Sequence, residues 1–236
     1  MEATLPGPGP QWRPSAVVFD CDGVLMDTER AWKDVQARVA GTFGVEIPER
    51  TAIELMGLSA TDVAEHIAAR AQDTAGRDGR SAPGFETVYR SLVDTEADVV
   101  GSVLEPLPGA VETVKAVARH VPVAVASNST STILDRKMHA VGLADTLRTW
   151  VSAEDVPRGK PAPDIYREAV RRLGVAPEDA LAVEDSPAGT TAAVAAGLWV
   201  LGAPHGHDEP LASHYLVGSL ADPAVAELLR GWDMPL

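Results

Sequence analysis

The chain has 236 residues, 45% of them hydrophobic, which is enough for one sizeable core or for a core domain with a smaller second one. A net charge of −14 with no basic run excludes long-range attraction to nucleic acid or to an anionic membrane. With a single cysteine and no secretory signal pattern, we expect a soluble, cytoplasmic protein.

The first predicted element is a buried strand. Residues 1–14 are rich in proline and glycine and are predicted to be a disordered tail. The apolar run from Ala16 to Phe19 then predicts a strand that ends at Asp20. After it, Gly23 permits a turn and Thr28 can cap a helix.

Residues 29–104 have a different character, because apolar residues recur there at helical spacing and no strand pattern is present. We therefore predict an all-helical insert over 29–104, which divides a core formed by 15–28 and 105–236. The apolar positions that carry this prediction include Ala31, Trp32, Val35, Val39, Phe43, Val63, Ile67, Ala71, Val88, Leu92 and Val99.

From residue 105 onwards, predicted helices and strands alternate. The predicted elements are helix 109–119, strand 121–126, helix 130–141, strand 149–151, helix 163–173, strand 181–183, helix 187–196, strand 199–201 and a last helix near 222–231. Such alternation is typical of an α/β fold with a parallel sheet and helices on both faces.

Polar residues follow three of the predicted strands at the point where each ends. They are Asp20-x-Asp22, Ser127-Asn128 and Glu184-Asp185. Ligands of open α/β sheets bind at the carboxyl ends of the strands, so we expect these residues to meet at one edge.

This set of residues suits phosphoryl transfer. A carboxylate such as Asp20 can attack phosphorus and form an aspartyl-phosphate, and Asp22 can act as the general acid and base. Two anions repel a phosphate, so a cation is needed, and Mg²⁺ prefers oxygen ligands such as those of Asp20, Asp22 and Asp185.

Two further residues complete the predicted site. Ser127 can donate a hydrogen bond to a phosphoryl oxygen, and Lys160 brings positive charge to the oxygens that gain charge in the transition state. Taken singly, each motif has an ordinary explanation: Ser127 as a turn, Lys160 as a solvated side chain, Asp185 as part of a helix N-terminus. The prediction of a phosphate site rests on the ordered set in an α/β pattern.

Three other residue types have weaker functional interpretations. Cys21 lies between the aspartates and alternates away from them, which predicts a small buried apolar role. His205-x-His207 lacks the additional cysteine or histidine that a zinc site needs. Glu184 is interpreted as a support for Asp185 or for a loop.

These motifs resemble those of the haloacid dehalogenase-like hydrolase superfamily, in the branch of β-phosphoglucomutase-like and phosphoglycolate phosphatase-like proteins. The resemblance covers nearly the whole chain after residue 15. It is carried by Phe19-Asp20-Cys21-Asp22-Gly23-Val24-Leu25, Ala126-Ser127-Asn128-Ser129, Arg158-Gly159-Lys160-Pro161-Ala162-Pro163-Asp164 and Val183-Glu184-Asp185-Ser186-Pro187-Ala188-Gly189.

The resemblance implies a Rossmann-like core with an inserted helical cap domain. It implies Asp20 as nucleophile and Asp22 as general acid and base. Mg²⁺ would be held by Asp20, the Asp22 backbone carbonyl and Asp185, and the phosphoryl group by Ser127, Lys160 and, assisting them, Asn128. Dehalogenase chemistry does not need Asp22 or the metal, so the presence of Asp22 argues for phosphoryl transfer.

Departures from the family pattern concern the substrate. Trp32 stands where mutases carry a histidine, and Met56 and Ala60 stand where their specificity loop carries charges. Trp32 is interpreted as a packing residue of the insert, with an apolar wall over the substrate as the alternative. Apart from Lys33 the insert has no lysine for the Schiff base of a phosphonatase. We therefore expect a phosphatase for a small phosphorylated metabolite, with a sugar phosphate as one candidate. The alternatives are a phosphomutase and a non-catalytic phosphometabolite-binding module, and nothing in the sequence demands more than a monomer.

Overall fold

The computed structural model describes residues 5–55, 58–78, 81–100, 105–205 and 210–236. The chain divides into two compact units, one formed by Met1–Asp27 and Leu104–Leu236 and the other by Thr28–Val103. Within the described ranges, no helix is both long and apolar enough to cross a bilayer.

The first unit is built on a parallel sheet in the order β3-β2-β1-β4-β5-β6. The central strand β1 pairs Val17 with Val123 of β2 on one side and with Leu181 of β4 on the other. The strands are β1 Ala16–Phe19, β2 Val123–Ala126, β3 Thr149–Val151, β4 Ala180–Glu184, β5 Trp199–Gly202 and β6 Tyr215–Leu216.

Helices occupy both the second unit and the two faces of the sheet. In chain order they are α1 Glu29–Thr42, α2 Glu49–Glu54, α3 Ala60–Asp78, α4 Phe85–Val100, α5 Ala110–Val117, α6 Ser131–Ala140, α7 Asp164–Leu173, α8 Pro187–Ala196 and α9 Pro223–Gly231. Two short 3₁₀ turns lie at Ala153–Asp155 and Pro177–Asp179.

Alternate residues of the strands point to opposite faces, and each face has its own core. Val17 and Phe19 pack in a cluster with residues of α5, α6 and α9. Val18 packs in a second cluster with Tyr166 of α7 and Ala193 of α8. Strands β1, β2 and β4 are buried on both faces, which explains their continuous apolar sequences. The predicted α/β class, with a parallel sheet covered on both faces, is confirmed.

In the described residues of the second unit the secondary structure is helical. Val35 and Val39 of α1, Ile67 of α3 and Leu92 of α4 pack in one buried cluster, as their helical spacing predicts. Trp32 packs against the same cluster, which agrees with a packing role for this residue.

The segment before β1 contacts the core at Trp12. Its indole donates a hydrogen bond to the Glu178 carbonyl at 3.0 Å, and its ring meets those of Trp199 and Trp232 edge to face. Trp12 thus contacts the core, although it belongs to the segment 1–14, which is predicted to be disordered from its composition.

Candidate active site

The loop after β1 places Asp20 at the carboxyl end of the central strand. The Asp20 amide donates to the Val183 carbonyl of β4 at 2.9 Å, so the sheet pairing continues to this residue. Gly23 then reverses the chain with a φ of +88°, and a Cβ at this position would overlap the Asp185 carboxylate. The turn therefore needs glycine both for its backbone conformation and for the close approach of Asp185.

Lys160 lies in the middle of a buried polar cluster. Its ammonium donates to Asp20 Oδ1 at 2.5 Å, to Glu184 Oε1 at 2.6 Å and to the Ala126 carbonyl at 2.8 Å. Burial alone would lower the pKa of Lys160, but the charges of Asp20 and Glu184 outweigh it and raise the pKa. The side chain is therefore a permanent cation beside Asp20.

Asn128 holds the backbone of the loop that carries Lys160. Its amide oxygen accepts from the Lys160 N–H at 2.8 Å, and its amide nitrogen donates to the Lys160 carbonyl at 3.1 Å. A Cβ on Gly159 would press against the Asn128 side chain. The close fit positions Lys160 relative to the end of β2.

Glu184 is a supporting group in this geometry. It is fully buried, and its Oε1 accepts from the Tyr166 hydroxyl at 2.5 Å as well as from Lys160. Its Oε2 accepts from the N–H groups of Asp185 and Ser186, at 3.2 and 3.4 Å. The Glu184 carboxylate thus fixes both Lys160 and the loop of Asp185. This agrees with the supporting role that the sequence indicates for Glu184.

The three carboxylates of Asp20, Glu184 and Asp185 offer oxygen atoms that all lie within 4.8 Å of one another. The pKa of Asp20 is raised to about 7, chiefly by burial; the positive charge of Lys160 lowers it, and the negative charges of Glu184 and Asp22 raise it further. Burial also raises the pKa of Asp185, and the charges of Asp20 and Glu184 add to this. A hard divalent cation suits such a donor set, so these residues fit Mg²⁺.

The Asp22 carboxylate is held by a different set of side chains. Its Oδ2 accepts from the hydroxyls of Ser127 at 3.0 Å and Ser129 at 3.2 Å, and its Oδ1 accepts from the Lys137 ammonium at 2.6 Å. The structure thus brings Asp20, Lys160 and Asp185 together and places Ser127 beside Asp22.

Lys137 and Ser129 are contacts that the sequence interpretation missed. The available signal was the position of Lys137 on α6, where it shares the buried face with Ile133, Leu134 and Met138. A buried lysine among apolar residues at helical spacing needs a partner for its charge, and here Asp22 is one.

The remaining candidates are not part of this cluster. Cys21 is fully buried in the apolar core, and burial raises the pKa of its thiol, which agrees with the predicted apolar role. His205 lies 3.7 Å from Asp27. His207 and Met56 lie outside the described residues.

Comparison with known proteins indicates one family for this chain. The family model for haloacid dehalogenase-like hydrolases matches residues 14–197. Fructose-1-phosphate phosphatase YqaB of Escherichia coli is 30% identical over 186 residues, which cover 79% of this chain and 94% of the relative. The bifunctional riboflavin kinase/FMN phosphatase of Arabidopsis thaliana is also 30% identical, over 80% of this chain but only 48% of its own length.

A solved structure shows the same fold. CbbY from Rhodobacter sphaeroides, crystallised with phosphate, superposes with a TM-score of 0.76 at 24% identity, covering 93% of this chain and 99% of that one. The matched family model includes the segments of Asp20, Ser127, Lys160 and Asp185. The chain belongs to the haloacid dehalogenase-like hydrolases.

Proposed function

We propose that the protein is a Mg²⁺-dependent phosphatase that hydrolyses small phosphorylated metabolites, sugar phosphates among them, through an aspartyl-phosphate on Asp20. The observation that carries this proposal is the contact of Lys160 with Asp20 Oδ1 at the end of the central strand, with Asp185 beside it. A carboxylate, a permanent cation and further oxygen ligands at one point are the groups that phosphoryl transfer needs.

Asp20 is the nucleophile in this proposal. One of its oxygens attacks phosphorus, and the bond from phosphorus to the leaving oxygen breaks as the new bond forms. Lys160 holds the attacking carboxylate and offers positive charge to the phosphoryl oxygens, assisted by Ser127 and Asn128.

Asp22 transfers the protons. It gives a proton to the leaving oxygen in the first step and removes one from the attacking water in the second, which regenerates Asp20. Asp20, Asp185 and the backbone carbonyl of Asp22 would hold Mg²⁺, which supplies positive charge that offsets the anionic oxygens.

The substrate class is inferred from relatives. The Escherichia coli relative is named as a fructose-1-phosphate phosphatase and aligns over most of its own length. We further propose that the helical insert predicted over 29–104 acts as the cap and carries substrate selectivity, with Trp32 in a packing role. The active protein is proposed to be monomeric and cytoplasmic.

A panel of phosphorylated metabolites tests the proposed function. We expect at least one sugar phosphate to release inorganic phosphate in the presence of Mg²⁺, and we expect excess EDTA to abolish this release reversibly. Product analysis with hexose 1-phosphates separates the alternatives. An isomeric sugar phosphate without free phosphate would show a mutase, and no turnover across the panel would contradict the proposal.

Binding of Mg²⁺ is also expected to stabilise the fold. At an ion concentration near one hundred times the dissociation constant, mass action gives about 2.7 kcal/mol, or roughly 5 to 10 °C in melting temperature. Asp185→Asn should melt higher than the wild type without metal, since it removes a buried charge, and should lose the response to Mg²⁺. The exposed Asp145→Asn is the matched control and should respond as the wild type. An unchanged Mg²⁺ response in Asp185→Asn would reject this ligand.

A further inference from the structure

Lys137 is a buried lysine outside the segments that carry the family motifs. It lies in the last turn of α6, its side chain is only 2% exposed, and apolar residues surround it on the helix face. Burying an ammonium group is costly unless it is paired. The Lys137 ammonium donates to Asp22 Oδ1 at 2.6 Å, and this pairing accounts for a buried lysine at this position.

Ser129 links the two charged groups. Its hydroxyl accepts from the Lys137 ammonium at 2.9 Å and donates to Asp22 Oδ2 at 3.2 Å. The Asp22 carboxylate is consequently held at both oxygens, by the Lys137 ammonium on Oδ1 and by the hydroxyls of Ser127 and Ser129 on Oδ2. Such a carboxylate has little freedom to rotate, since any rotation breaks a charge-assisted hydrogen bond.

We propose that Lys137, acting with Ser129, is a positioning residue that orients the Asp22 carboxylate for proton transfer to and from the reacting oxygens. This inference rests on the proposed function, because it takes Asp22 as the acid and base. The two aspartates then have separate lysines: Lys160 holds Asp20, and Lys137 holds Asp22.

The proposal has a specific kinetic consequence. A general acid matters most when the leaving oxygen is strongly basic and little when it departs as a stabilised anion. A poorly oriented Asp22 should therefore slow the cleavage of phenyl phosphate more than that of p-nitrophenyl phosphate. The two esters share a ring, so differences in binding between them are small.

Lys137→Met is the variant that tests the proposal, compared through kcat/KM, which covers only the steps up to release of the phenol. Since general acid catalysis contributes roughly 10²- to 10⁴-fold, we expect kcat/KM for phenyl phosphate to fall roughly 30-fold or more. For p-nitrophenyl phosphate we expect a fall of roughly threefold or less. Lys115→Met removes an exposed lysine of α5 and should change neither value.

A double-mutant cycle shows whether Lys137 acts through Asp22. In an Asp22→Asn background, Lys137→Met should have no further effect on kcat/KM for phenyl phosphate, since the group that it orients is absent. Equal losses for the two esters in Lys137→Met, or additive losses in the double variant, would overturn the inference.

Ser129→Ala is a second test of the inference, which can be used if Lys137→Met does not fold. It removes one hydroxyl from the Asp22 carboxylate and leaves both charges in place, so we expect the same preference for loss with phenyl phosphate, by roughly tenfold. An unchanged ratio between the esters would overturn the inference. Failure of the proposed function is distinguishable, because the wild type would then cleave neither ester in Mg²⁺.

Discussion

Asp20→Asn is expected to lower the turnover of p-nitrophenyl phosphate by roughly 10⁴-fold or more. The amide has nearly the shape of the carboxylate but lacks the anionic oxygen that we propose attacks phosphorus. The fold should survive, since burial raises the pKa of Asp20 to about 7 and the charged form is already costly to bury. Removing the buried negative charge of Asp20 therefore offsets part of the stability that is lost when the contact with Lys160 weakens.

Two measurements separate a lost nucleophile from a damaged fold. Circular dichroism should show a melting temperature within a few degrees of the wild type. Beryllofluoride, which mimics a phosphoryl group on a carboxylate, should form an adduct with the wild type and none with Asp20→Asn. The exposed Asp145→Asn is the control and should keep full activity. Full activity in Asp20→Asn would remove the basis of the proposed mechanism.

Lys160→Met is expected to have a large effect on stability as well as on activity. The lysine is buried, and its removal leaves Asp20 and Glu184 without the cation that they share. Breaking a buried ion pair in this way costs about 3 to 5 kcal/mol. We expect the melting temperature to fall by about 10 °C in EDTA, and turnover to fall by roughly 10³-fold.

The stability loss in Lys160→Met should depend on pH. A carboxyl whose folded pKa is raised, as for Asp20 from 3.8 to about 7, keeps a proton in the folded state that the unfolded chain has released. The free energy of unfolding therefore falls as pH rises through this range, and without Lys160 the fall continues to higher pH. The variant should differ from the wild type more at pH 8 than at pH 5. Lys115→Met should match the wild type at both, and a pH-independent difference would contradict this account of the cluster.

The sheet was largely predictable because its strands carry strong local signals. The strand at 149–151 and the helix at 187–196 match β3 and α8 in both bounds, and most other elements agree within one or two residues. The pair Tyr215–Leu216 of β6 was not predicted. Two residues are too few to show an alternating or continuous apolar pattern, and this strand is defined only by its pairing with β5.

The sequence predicted which residues of the candidate site lie close together, but it did not predict how their side chains are oriented. The ends of parallel strands meet at one edge, so Asp20 and Asp185 were expected to lie together. The orientation of the Asp22 carboxylate depends on Lys137, which is 115 residues away in the sequence. The position of Lys137 on the apolar face of α6 indicates that it needs a partner, but no local pattern indicates that the partner is Asp22.

The central place of β1 in the sheet has a consequence for synthesis on the ribosome. This apolar strand emerges first, yet β2 and β4, the neighbours on its two edges, are made only after the whole helical unit. The helices can fold meanwhile, because their buried cluster is formed by residues of that unit alone, whereas β1 has both edges unpaired until β2 and β4 are made. Asp20 is therefore synthesised well before Asp185, and the proposed site can form only when β4 and the acidic loop after it have left the exit tunnel.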